Sequence, residues 1–535
     1  MFADMHCHAH MRTYLYLCQK KIKNGAKEIS PWTIIATNMY RLKHADRAAG
    51  FGQADLVSLW NSGTRLVFVS MYPIEREFFL TPEQPVGGKY KFLRKVVRLA
   101  THHKAPIRTL LQHLIMRLPI ETINYVISEK YDYWEFLQKE YVFLKSKSGI
   151  VTKNEIHSPG LLRTVLENNE NRRVKYPDHY HAEGCYQIPM NRAEALEISK
   201  KNIILMPLTI EGGHVFDACA NDEKTVLGRI DHIKNKWQHP LFFITISHHF
   251  DNKLCGHAHS LPSVAEFLLN QRKAMNTGIT GLGWKVIRKL LAVDEHNNPV
   301  VDENYRVLID LKHMSAQARK EYYEQLIRPC MAKGDSIPLI ASHCSYSGRK
   351  TLQEMIDLQD SEDDTFRVKN EYGTYYAWNI NLCDEDILMI YKTGGIFGLS
   401  FDKRMTGISS KKKEEKMEHY DNINGLWNNL KAALQVIYTD NSFSLKEKRK
   451  AWDMLAIGTD FDGYIEPVST YKTALKLPDF KQDLLAAIKR ETRQDNPLQC
   501  VSDFDEVFTP ELVVDKICYD NALNFTLKHY PEKSL

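Results

Sequence analysis

The stretch Arg306-Val307-Leu308-Ile309-Asp310-Leu311-Lys312-His313, with its near twin Ile337-Pro338-Leu339-Ile340-Ala341-Ser342-His343, decides the fold. Each is a short apolar run that ends in ionisable or polar residues. Apolar runs of this length are what strands buried on both faces look like, and parallel sheets need such strands. Runs of the same kind recur at 2–6, 65–71, 203–211, 241–248, 394–401 and 454–460, separated by helix-length segments. Eight βα units in one chain predict an α/β protein built as a (β/α)8 TIM barrel, a single barrel over residues 1–535.

Uneven spacing locates two mainly helical insertions. About 130 residues separate the second and third strands, far beyond the dozen or so that a crossover needs. An insertion is therefore expected over residues 80–200. Within it Ile107, Leu110, Leu111, Leu114, Ile115 and Leu118 fall on one helical face, and 131–144 reads as an aromatic-rich helix. A second, Lys/Glu-rich helical insertion is expected at 403–452, between the seventh and eighth strands. Residues 360–365 read as a polar loop, and Lys411 to Lys416 as a solvated charged segment.

Composition excludes several classes. With 43% hydrophobic and 26% charged residues, the chain is neither disordered nor collagen-like. The 71 Lys and Arg against 66 Asp and Glu give a net charge of +5, with no basic stripe to suggest a nucleic-acid partner. The longest apolar run, 241–246, is strand-sized, so no membrane span is expected. The start Met1-Phe2-Ala3-Asp4-Met5-His6 has no secretory pattern. Ten cysteines lack any C-x-x-C pair, so reduced thiols in the cytoplasm are the expectation.

Six of the eight strand ends carry an ionisable residue, on the face where barrel enzymes hold their reacting groups. His6 and His8 follow the first strand, Glu211 the third, His248 the fourth, His313 the fifth, His343 the sixth and Asp460 the eighth. One such histidine is more often a hydrogen-bonded structural residue. Together they form a candidate ring of metal ligands, suited to Zn²⁺ or a similar divalent ion. More than three ligands favours two ions about 3.5–4 Å apart that share a carboxylate and a hydroxide, with Glu211 the natural bridge. Hydrolysis of an amide or ester follows from that chemistry.

The ordered motifs Asp4-Met5-His6-Cys7-His8, Ile210-Glu211-Gly212-Gly213-His214, Thr245-Ile246-Ser247-His248, residues 278–290, Ile309 to Ser315, Ala341-Ser342-His343-Cys344-Ser345 and Ile457 to Gly463 resemble those of the membrane (renal) dipeptidase family, within the amidohydrolase superfamily. The tail 508–527, with Asn521, is similar too. The resemblance spans nearly the whole chain outside the insertions. It implies a barrel of the metal-dependent hydrolase type and cleavage of a dipeptide or related amide by a hydroxide activated at a binuclear zinc centre. His6 and His8 would hold one ion, His313 and His343 the other, and Glu211 would bridge. His248 would bind and polarise the substrate carbonyl, and Asp460 would be the acid/base. Asp462 would be structural.

Two positions depart from the family pattern. His8 stands where the family's first motif has an Asp, and Ile380 in Trp378-Asn379-Ile380-Asn381 stands where it carries a carboxylate-gripping Arg. Arg349 is a candidate substitute for substrate binding, with an exposed helix-start residue as the plainer reading. His10 is a candidate substitute ligand or a solvent-facing neighbour. His102, His103, His113, His257 and His259 read as surface or capping residues, and His214 as a brace for the bridging carboxylate. Cys7 and Cys344 are expected buried, and Asp310 to satisfy backbone groups. The small-molecule substrate could instead be a lactone, N-acyl amino acid or cyclic amide, or the barrel could keep metal without catalysis and bind a partner. The insertions would shape a lid or a homo-oligomer contact.

Overall fold

The structure, a computed structural model, describes residues 1–19, 29–35, 52–80, 120–157, 182–261, 270–300, 305–358, 367–370, 373–408, 415–495 and 497–532. The helix expected around 107–118, the loop at 360–365, most of the charged segment (Lys411 to Glu414), and His102, His103 and His113 lie outside the described residues. The chain divides into two compact units, the first made of 1–71, 139–208 and 398–530, the second of 72–138, 209–397 and 531–535.

All eight expected strands form: β1 (Phe2–Cys7), β2 (Thr64–Met71), β3 (Leu208–Glu211), β4 (Leu241–Thr245), β5 (Leu308–Asp310), β6 (Ile340–Cys344), β7 (Ile396–Leu399) and β8 (Leu455–Ile457). In the first unit β1 pairs in parallel with β2, placing Ala3 opposite Leu66. On the other side of β1, Asp460 N–H donates to the His6 carbonyl at 2.9 Å, and Gly458 N–H just past β8 donates to Leu399 of β7 at 3.0 Å. Val69 of β2 donates to the Pro207 carbonyl just before β3. In the second unit Gly212 donates to Thr245, β4 runs parallel to β5 with Phe243 opposite Leu308, β5 to β6, and Ile396 donates to Leu339. The chain passes from one unit to the other within β3 and within β7. Taken in chain order, these pairings are those of a (β/α)8 barrel.

Local sequence explains the elements. Every residue of β1, β4 and β6 is buried, as strands covered on both faces require. The helix Gly281–Leu291 starts where the Thr280 side chain accepts from Gly283 N–H, and ends on Ala292 in the left-handed region. It buries Val286, Ile287, Leu290 and Leu291, each worth about 1.5–3 kcal/mol. Within 80–200 the aromatic helix forms at Tyr133–Lys145. Short strands Thr152–Lys153 and Glu183–Gly184 pair antiparallel there. Within 403–452 a helix runs over Glu415–Tyr438. Near the C-terminus Asn521 donates to the carbonyls of Trp452 and Leu455, tying the helix Asn521–His529 to the approach to β8. Among the described residues no helix is long and apolar enough to cross a membrane.

Candidate metal centre

The first unit gathers His6, His8 and Asp460. Asp4 sits at the junction of β1 and β8: its carboxylate accepts from His6 N–H at 3.2 Å, from Thr459 N–H at 2.9 Å and from the Thr459 hydroxyl at 2.6 Å. Burial is the stronger influence and pushes Asp4 up to about 7. His8 Nδ1 lies 3.1 Å from the Ser70 carbonyl. A carbonyl only accepts, so Nδ1 carries the proton in the neutral ring and Nε2 carries the lone pair. That lone pair lies 4.0 Å from Asp460 Oδ1. Asp460 holds a left-handed φ of 60°, and a Cβ at position 463 would sit 2.0 Å from its Oδ1, so Gly463 is needed there. Asp462 accepts from the N–H groups of Gln53 and Ala54, the structural role expected of it.

The second unit gathers Glu211, His248, His313 and His343 around one oxygen. Nε2 of His343 lies 3.4 Å from Glu211 Oε1, and Nε2 of His313 and of His248 each lie 3.5 Å from it. The protonation of His343 follows from its neighbours. Ser342 Oγ is 2.5 Å from Asp310 Oδ2 and 2.8 Å from His343 Nδ1. The Ser342 proton goes to the carboxylate, so its oxygen must accept from His343 Nδ1–H. His343 Nε2 is then a lone pair aimed at a carboxylate oxygen. Two acceptors facing each other in a buried place call for a cation between them. Ligand atoms about 2.0–2.2 Å from a tetrahedral ion are about 3.3–3.6 Å apart, which matches the 3.4 and 3.5 Å separations here. The residues fit a divalent ion, and Glu211, His313 and His343 offer donor atoms within 4.8 Å of one another.

Asp310 is the hub beneath this cluster. It accepts from Thr245 Oγ1 at 3.0 Å, Lys312 N–H at 3.1 Å and Ser342 N–H at 3.0 Å, besides the Ser342 hydroxyl. It satisfies backbone groups, as expected, and also sets the His343 tautomer.

His248 differs from its neighbours. Its Nδ1 lies 2.5 Å from Glu75 Oε2. Burial opposes a charged ring, but Glu211 and Glu75 on its two sides prevail and push the imidazole up to about 10. Glu75 is buried, and it also accepts from the Tyr72 hydroxyl and from Phe250 N–H. Burial works against its charge too, yet His248 beside it holds the carboxyl below its usual range. This partner was missed in the sequence, although Pro73-Ile74-Glu75 follows the second strand, one of the two ends left without an ionisable residue.

Other expected residues are placed differently. His10 is fully buried rather than solvent-facing, because Glu140 of the helix Tyr133–Lys145 meets its Nε2 at 2.7 Å. His257 and His259 are buried rather than on the surface: His257 is held by the carbonyls of Ala258 and Lys273, and His259 stacks on Trp378 with ring centroids 3.8 Å apart. His214 Nε2 lies 2.7 Å from the Pro73 carbonyl, so its bond fixes the segment leading to Glu75. Arg349 is engaged by Glu354 at 3.1 Å. Cys7 and Cys344 are buried, as expected, and Ile380 is buried as well.

An α/β barrel with imidazole and carboxylate clusters at its strand ends defines a candidate metal-centred barrel. No family model matches the chain, and no curated protein matches it in sequence. Among solved structures it is similar to a metallo peptidase from Rhodobacter sphaeroides liganded with a phosphinate mimic of the dipeptide L-Ala-D-Ala, at 13% identity over 99% of this chain and 98% of that one, with a TM-score of 0.46. It is similar to the metallo peptidase dipeptidase AC at 14% identity over 94% and 99% of the two chains, with a TM-score of 0.42. It is also similar to an amidohydrolase from Pseudomonas aeruginosa at 13% identity over 69% and 82%, with a TM-score of 0.36. The side chains of the two clusters decide the chemistry.

Proposed function

We propose that this chain is a metal-dependent hydrolase that cleaves an amide bond in a dipeptide-like small molecule at a binuclear zinc centre, and that it belongs with the dipeptidase family its motifs resemble. In this reading His6 and His8 would hold one ion and His313 and His343 the other, with Glu211 as the bridging carboxylate, as the family resemblance implies. The observation that carries it is the His343 lone pair held against the Glu211 carboxylate by the Asp310–Ser342 chain. Ions bound there would lower the pKa of water to about 7 and polarise a carbonyl.

The chain's own groups supply the rest. His248, gripped at Nδ1 by Glu75, presents Nε2–H to the oxygen of the substrate carbonyl as negative charge gathers there, a contribution of about 2.7–4 kcal/mol in comparable sites. Asp460 takes the proton of the attacking water on its carboxylate and returns it to the leaving nitrogen, so that no charged amine anion has to depart. The ten thiols are all free, which supports a reducing, cytoplasmic setting.

The test is metal analysis of the purified chain with a panel of dipeptides, N-acyl amino acids, lactones and cyclic amides. Two equivalents of zinc and turnover of dipeptides are expected; metal content near zero with no turnover on any substrate would refute the reading. The buried Ile380, where the resembled family has its carboxylate-gripping Arg, favours lactones or cyclic amides, which need no free carboxylate, as the second reading.

A further inference from the structure

The loop after β4 carries an imidazole that the proposed reaction leaves unused. His249 follows His248 directly, and along a strand the two rings would point to opposite sides. But β4 ends at Thr245, and the loop brings the rings together, with centroids 3.9 Å apart and that of His249 5.0 Å from that of His313. One ring nitrogen from each of His248, His249 and His313 lies within 4.8 Å of the other two. The loop is braced from within: Asn252 donates to the Ile246 carbonyl and accepts from the N–H groups of Leu254 and Cys255, and Ser247 donates to the Gly256 carbonyl.

The neighbours of His249 place its proton. Gln271 Oε1 accepts from the N–H groups of Ser260 and Leu261, each at 3.1 Å. That fixes the amide, so its Nε2 donates to the His249 carbonyl at 3.0 Å and to Ser260 Oγ at 2.5 Å. Among the described residues the only other partner of Ser260 Oγ is His249 Nδ1, at 2.6 Å. The hydroxyl already accepts from Gln271, so it donates its own proton to Nδ1, and Nε2 of His249 carries the N–H. That N–H has no hydrogen-bond partner among the described residues. The ring is half-buried and packs edge-on against Phe78, with centroids 5.3 Å apart. A histidine serving only the core has its polar atoms satisfied; this one keeps a donor free beside His248 and His313.

We infer that His249 Nε2–H is a second hydrogen-bond donor to the oxygen that gathers negative charge when the amide carbonyl is attacked, which makes His249 a catalytic residue alongside His248. The inference rests on the hydrolase reading for the reaction it serves. One oxygen can sit about 2.9 Å from two nitrogens that are no more than 4.8 Å apart, so both donors can reach it. Donors held in place beforehand need no reorganisation as the charge develops. The Ser260–Gln271 chain holds His249 in this way, as Glu75 holds His248.

The experiment uses the full metal-loaded chain with two variants: His249→Phe, which keeps a flat ring against Phe78 but no donor, and His249→Gln, which restores an N–H. Each is titrated by calorimetry with two mimics of one dipeptide, a phosphinate, tetrahedral and anionic at the reacting centre, and a ketomethylene, planar and neutral there. His249→Phe should lose at least about tenfold in phosphinate affinity and less than about threefold in ketomethylene affinity, because the donor acts on developed charge. Its metal content per chain should equal that of the wild type, and His249→Gln should bind the phosphinate more tightly than His249→Phe. An unchanged phosphinate affinity in His249→Phe, an equal loss for both mimics, a lost metal equivalent, or no phosphinate binding by the wild type would each overturn the inference. If His249→Phe does not fold, His249→Leu takes its place, and failure of both would mark the ring as a packing residue and overturn the inference too. Turnover is scored separately. A wild type whose phosphinate affinity depends on His249 but that cleaves no amide would defeat the hydrolase reading and leave the paired donors standing as a site for a tetrahedral anion.

Discussion

Replacing Ser342 by alanine should weaken metal binding while sparing the fold. The hydroxyl lies 2.5 Å from Asp310 and 2.8 Å from His343 Nδ1, and through it Asp310 dictates which ring nitrogen bears the proton. Without it the His343 proton can move to Nε2 and point at Glu211 Oε1, 3.4 Å away. The metal-free protein thereby exchanges one hydrogen bond for another, and Asp310 keeps its contacts from Thr245, Lys312 N–H and Ser342 N–H. Its stability should change by about 1 kcal/mol. An incoming ion, however, must displace that proton from the ligand atom. Losing the partner that orients a metal-ligating histidine typically costs 10–100-fold in affinity, which is about 1.4–2.7 kcal/mol. Competition against a chelator of known affinity measures the first quantity, and urea unfolding of the stripped protein the second. A metal affinity within twofold of wild type would refute the tautomer argument, and so would a stability loss above about 3 kcal/mol, which would mean the hydroxyl serves the core.

Asp460→Asn should keep its metals yet lower kcat by at least about 10²-fold, the lower range for general acid/base groups; unchanged turnover would remove Asp460 from the reaction. Glu211→Gln should bring metal content per chain to one or none, and two full equivalents by elemental analysis would contradict the bridge. In the metal-stripped protein the His248 imidazole, raised to about 10 from about 6.5 in an unfolded chain, contributes stability fully present below about pH 6.5 and lost as pH rises through about 10. Unfolding curves of wild type and His248→Gln should therefore converge towards the alkaline end, and parallel curves from pH 6 to 10 would refute the ion-pair geometry.

Much of this was legible in the sequence for a physical reason. A strand buried on both faces leaves a continuous apolar run, and the residue that breaks it marks the end of the strand where the candidate ligands sit. All eight runs became strands, and Glu211, His313 and His343 met at one carboxylate oxygen. What stayed hidden depends on contacts between distant positions. Glu75 follows a turn of no distinctive pattern, and its importance comes from His248, 173 residues away in sequence. His10 looked solvent-facing because Glu140, 130 residues on, cannot be assigned to it by spacing. The burial of His257 and His259 likewise comes from loop carbonyls and an aromatic face that no local periodicity encodes.

The His10–Glu140 contact makes part of the 80–200 segment inseparable from the first strand. Glu140 reaches an imidazole with no exposure, two residues beyond His8. A shortened chain that deleted this helix would leave that ring without its acceptor in a dry interior. Loss of ordering would then spread back into the end of β1 that carries His6 and the turn that carries His8. Trimming the protein to a bare barrel should therefore yield aggregates rather than a smaller catalyst.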